Sequence, residues 1–135
     1  MKPLLAMVLL SAALGCSKER GQDCTKLVQT AGPLHATFLE VFGRSDQSPT
    51  ELEAQAVAFE KGAADLTALD VKDDTVKSIA TDYAGLLGQA AKARRDMAAA
   101  SGALDPSAAA KAQVAATNLV VEETRVKAKM NTTCN

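Results

Sequence analysis

Residues 73–102, DDTVKSIATDYAGLLGQAAKARRDMAAASG, decide the fold. Val76, Ile79, Tyr83, Leu86, Ala90, Ala93, Met97 and Ala100 recur at alternating steps of three and four. Because an α-helix repeats every 3.6 residues, those eight positions form one apolar stripe along a single helix face. So long a three–four alternation is the pattern of a helix packed lengthwise in a bundle. Asp73 or Asp74 is expected to cap its start, and Gly102 its end. Gly85 and Gly88 weaken the helix locally but leave room for a close neighbour.

Three further segments carry the same period. Ser48-Pro49-Thr50-Glu51 reads as a capping box with proline at the first helical position, and Leu52, Ala56, Phe59, Ala63 and Leu66 follow on one face. Asp105-Pro106 opens a segment reaching about Asn131, with Ala112, Ala116, Leu119, Glu123, Val126 and Met130 on its stripe; Glu123 interrupts it. The first segment, from a cap at Asp23 to Gly43, places Leu27, Ala31, Leu34, Phe38 and Phe42 together. Gly32-Pro33 falls inside it, and a proline lacking its N–H predicts a kink or break. The links near 44–48, 70–74 and 102–105 are short, so consecutive helices run antiparallel. Residues 23–135 are therefore expected to form one all-α domain, an up-down-up-down four-helix bundle. Alanine, at 27 of 135 positions, has the highest helix propensity and agrees.

The N-terminal region gives an address. Lys2 precedes an apolar run, Pro3 to Leu14, that is far short of the ~20 residues needed to span a bilayer. Residues 1–15 have the proportions of a cleaved signal peptide. Ala13-Leu14-Gly15-Cys16 resembles the lipobox of bacterial lipoproteins, with Leu14 one place later than the usual pattern. The resemblance implies a diacylglycerol on Cys16, an anchor in the cell envelope, and residues 16–22 as a polar tether. Ordinary signal-peptidase cleavage after Ala13-x-Gly15 leaves the same first residue.

The chain has three cysteines. If Cys16 is acylated, Cys24 and Cys134 remain as an even pair in an oxidising compartment. Their bridge would close a loop worth roughly 4–5 kcal/mol in the chain-entropy model; the rival pairing, Cys16 with Cys24, would staple only a short loop. In an antiparallel bundle Cys24 and Cys134 fall at the same end.

Charge narrows the function. The chain has 15 basic and 16 acidic side chains, a balance that disfavours nucleic acid as a partner. Aromatics are few, Phe38, Phe42, Phe59 and Tyr83, so a base- or sugar-stacking platform is poorly supplied. His35 is the only histidine, which excludes a His-rich zinc site, and no Ser-His-Asp arrangement is expected around it. Exported bundles of the cytochrome b562 type are similar in size, and that likeness would make His35 with Met130 or Met97 axial haem ligands. No LTxxQ stretch of the bundle chaperones occurs. Asp73-Asp74 suits a helix start, and Glu122-Glu123 is expected to pair along its helix with Lys127 and Lys129 rather than with Arg125. Lys92, Arg94 and Arg95 form the one basic cluster, read as a solvated face or a patch for an acidic partner or lipid headgroups. The expectation is a membrane-anchored, non-enzymatic bundle without cofactor or metal, binding a protein or peptide partner in the envelope at the end distant from Cys24 and Cys134. A b562-like haem carrier and a small periplasmic chaperone or stress sensor, using a groove opened at Gly32-Pro33, are the alternatives.

Overall fold

The computed structural model describes the backbone of residues 12–135 and the side chains of residues 18–135. Most of the expected leader therefore lies outside the described residues, as does the Cys16 side chain. The described chain is four helices: α1, Ala12–Phe42; α2, Pro49–Thr67; α3, Asp74–Ala103; and α4, Pro106–Cys134. Consecutive helices pack antiparallel, and α4 returns against α1 to complete an up-down-up-down bundle. The helix α3 touches all three others, which its sequence explains. Beside the expected stripe it carries a second, Ala80, Leu87, Ala91 and Arg94, also buried. Two seams separated around the helix allow it to pack on α2 and α4 at once.

The starts of the last three helices are those the residues dictate. Ser48 accepts from the Glu51 amide while the Glu51 carboxylate takes the Ser48 amide, a complete capping box. Asp73 caps α3 by accepting from Thr75 and Val76, and Asp105 caps α4 by accepting from Ser107 and Ala108. All six residues of the α4 stripe are buried, including Glu123.

The first helix departs from expectation. It is already helical before Asp23 and includes the segment read as a tether, so Asp23 is not its cap. The Asp23 carboxylate crosses the bundle instead and accepts the amides of Lys72 and Asp73, at 2.7 and 2.8 Å. Pro33 lies inside a continuous α1, so no break occurs there. One missing amide bond costs less than the burial of Leu27, Ala31 and Phe38, which flank it on the buried face.

Two backbone assignments also change. Gly85 and Gly88 face open space, and the close approach occurs at Gly62, where a Cβ would lie 2.5 Å from Leu34 Cδ2 and 3.2 Å from Leu87 Cδ1. The residue that ends α3 in the left-handed conformation is Leu104 (φ 52°, ψ 42°), not Gly102. Bonds from Leu104 N–H to Ser101 and from Asp105 N–H to Ala100 close that end.

Cys24 and Cys134 are joined by a disulfide, their Cα atoms 5.4 Å apart. It fastens the start of the buried part of α1 to the end of α4. We call this the bridged end, and the opposite one, with the 43–48 and 104–105 links, the free end.

Candidate functional site

Among the described residues three side chains that carry charge at neutral pH are buried: Asp23, Arg94 and Glu123. For Asp23, amides at the start of α3 and nearby Lys26 hold the carboxyl below the usual range, against the opposing effect of burial. The other two define the candidate sites.

Glu123 projects from α4 into the gap between α1 and α3 and is 1 % exposed. Its Oε1 accepts from Tyr83 Oη of α3 at 3.3 Å and from His35 Nδ1 of α1. The second ring nitrogen, Nε2, meets Lys127 Nζ one turn along α4. An ammonium only donates, so Nε2 must be the acceptor and the ring proton sits on Nδ1, facing Glu123. One tautomer thus satisfies the chain Lys127–His35–Glu123–Tyr83. Burial, and then the adjacent Glu123 charge, push the Tyr83 phenol well above its ordinary range.

A carboxylate on a histidine is half of a proton-relay site, so the remaining space decides what it can do. The cavity beside these residues, closed by Ile79, Val126 and Met130, is about 10 Å³. That is barely one water, and both imidazole nitrogens are engaged, leaving no position for a reacting atom. The cluster clamps three helices together. Met130 does approach His35 here, as the haem comparison requires, but a porphyrin cannot enter such a space. Met97 lies elsewhere, beside Arg94. Among the described residues no three His, Cys, Asp or Glu side chains are placed to hold a metal ion.

The basic cluster is dispersed. Lys92 pairs with Asp96 one turn on. Arg95 reaches across to α2, where Glu53 and Glu60 receive it. Arg94 turns inward and is 3 % exposed, so it is not part of a solvated face. Its guanidinium carbon lies 3.8 Å over the Phe42 ring, on a stack in which Phe38 and Phe42 centroids are 4.4 Å apart and both contact Phe59. Both of its hydrogen bonds leave from Nη1, to Gln47 Oε1 at 3.0 Å and Met97 Sδ at 4.0 Å. The Nε atom is buried with no partner, and no carboxylate of the described residues pairs with this cation. Desolvation draws its pKa down to about 10, so it stays charged at neutral pH.

Arg94 forms part of the wall of a groove of about 440 Å³ at the free end, where α1 stops beside α3 and α4. Phe42, Met97, Val120 and Val121 supply apolar surface, and Arg44, Ser45 and Gln113 stand among them. Arg44 is half exposed and 3.6 Å from Glu51.

The acidic pairs resolve differently from each other. Asp73 is a cap and Asp74 a first-turn acid of α3. Glu122 pairs with Arg125 at 2.5 Å, not with Lys127 or Lys129 as expected, because i,i+3 residues share a helix face. Glu123 makes no pair along its own helix with Lys129; its partners are on α1 and α3, and Lys129 goes to Asp82. No family model, curated protein or solved structure matches this chain.

Proposed function

We propose that this protein is a lipid-anchored binding module of the bacterial cell envelope, tethered through Cys16 and engaging a protein or peptide partner at its free end. The disulfide carries the reading. With Cys24 bonded to Cys134, Cys16 is the odd cysteine, and it stands directly after the apolar run Pro3–Leu14. A tether at that position enters at the bridged end, which turns the free end away from the membrane. The best-formed polar cluster, around Glu123, is filled by its own side chains, and the groove with surplus binding capacity lies at the free end. Binding without turnover suits that distribution better than catalysis.

Replacing Cys16 with alanine tests the anchor. In cells fed an alkyne-tagged fatty acid, the wild type is expected to carry the label and fractionate with membranes, and Cys16→Ala to lose both properties. Label retained on the variant would overturn the reading.

A further inference from the structure

We infer that the Arg94 groove is a carboxylate-binding site, and that its ligand is the C-terminal residue of a peptide or protein partner with an apolar last side chain. The inference rests on the binding-module reading but not on the anchor at Cys16. A guanidinium buried to 3 % exposure ordinarily has a carboxylate beside it. Here Gln47 offers one carbonyl oxygen, and its amide is committed to Val41 O at 3.2 Å. Phe42 offers its π face, a weaker substitute for an anion. The desolvation cost of Arg94 is thus only partly offset within the chain, and an incoming carboxylate recovers the remainder.

The surroundings specify what carries that carboxylate. Val120, Val121 and Met97 give an apolar wall, so a bare inorganic anion would leave most of the groove unused. Arg44 and Ser45, both exposed residues of the lining, can meet the backbone of a chain leaving the groove. The groove lies at the end of α1 rather than within the core, so a longer molecule need not be swallowed whole. A terminal carboxylate with an apolar side chain and an exiting backbone matches these features.

The test uses the full-length protein and a fluorescein-labelled pentapeptide ending in leucine, read by fluorescence anisotropy. The free-carboxylate peptide is expected to bind, and its C-terminal amide to bind at least about tenfold more weakly, the usual scale for losing a charge-assisted hydrogen bond. Arg94→Met is expected to abolish the difference between the two peptides, with helical circular dichroism unchanged. Val121→Asp, at a 64 % exposed position on the groove wall, is expected to weaken the carboxylate peptide without touching the core. Equal binding of amide and carboxylate, or no binding of either, would overturn the inference. Binding of octanoate but not of the peptide would overturn the peptide as source. Each result is independent of whether Cys16 is acylated, which the labelling experiment decides separately.

Discussion

Asp23, at the bridged end, and Arg94, near the free end, are both shut away from solvent, yet their surroundings differ in kind. Asp23 receives two backbone amides from the start of α3 and has Lys26 3.6 Å away. Glu123, between them, receives a phenol and an imidazole. Each anion thus has at least two hydrogen-bond donors from neighbouring elements, on Oδ2 of Asp23 and on Oε1 of Glu123. Arg94 has an amide oxygen, a sulfur and an aromatic ring, and a buried Nε with no partner. A charge with complete partners is part of the scaffold; a charge without them retains free energy that a ligand can recover. The contrast is what favours the free end over the Glu123 cluster in the proposed binding reading.

Mutation can break that contrast. Glu123→Ala strands two buried donors and leaves a cavity, and is expected to cost about 3–5 kcal/mol in urea unfolding. Arg94→Met removes a cation that leaves no opposite charge behind, and is expected to fall within about 1 kcal/mol of wild type or to stabilise. Comparable losses in the two variants would show that Arg94 is as well satisfied as Glu123. At the bridged end the sign follows from a carboxyl held below its unfolded value. Its contribution is present above the unfolded pKa, ordinarily near 4, and is lost as pH falls through the lower folded value. Asp23→Asn should therefore flatten the acid limb of stability measured between pH 5 and 2. An unchanged limb would assign acid sensitivity to other carboxyls.

A smaller effect sharpens the account of the Glu123 cluster. Tyr83→Phe removes one donor and leaves the His35 bond, so about 1 kcal/mol is expected. Tyr83 is the only tyrosine, so its absorbance near 295 nm reports this site alone. With its folded pKa raised, the phenol should stay protonated past pH 10, and its stabilisation is lost as pH rises above the unfolded value. Ionisation at an ordinary pH with the fold intact would mean that the hydroxyl is wet.

The fold was largely legible because its determinants are local: caps at Ser48, Asp73 and Asp105, and single-face periodicity. Glu123 was legible as an anomaly, a charge on an otherwise apolar stripe. Its partners were not, because His35 lies 88 residues away and nothing in either helix's own period sets the rotation of α1 against α4. Arg94 is hidden in the sequence for a different reason. Counted along one stripe it falls beside Ala93 and joins Lys92 and Arg95 as surface. Counted along the second stripe, Ala80, Leu87 and Ala91, it is the next inward position, so its burial follows from the period of that second seam. Asp23 has the residue type and position of a local cap, but a cap signal within one helix carries no information on a partner elsewhere, and its carboxylate accepts at the start of α3. Gly62 mattered and Gly85 and Gly88 did not, since a close approach depends on which face meets a neighbour.

The smallest expected effect concerns the free end itself. Leu104 is 88 % exposed and holds a left-handed backbone, where an L side chain costs roughly 1–2 kcal/mol. Its side chain recovers almost none of that through burial. Leu104→Gly relieves the backbone but adds freedom to the unfolded chain, so a net gain of about 0.5–1 kcal/mol is expected from the two opposing terms. The closing bonds at Ser101 and Ala100 use only main-chain atoms, and glycine can keep both. Thermal unfolding measures the difference. A loss of stability would mean that the leucine is packed against something at this end in solution, and dilution would then separate self-association from an intramolecular contact. A gain would leave the contrast sharper: at the bridged end the buried carboxylate has its partners, while at the free end a buried cation is only partly offset and a residue keeps a strained backbone.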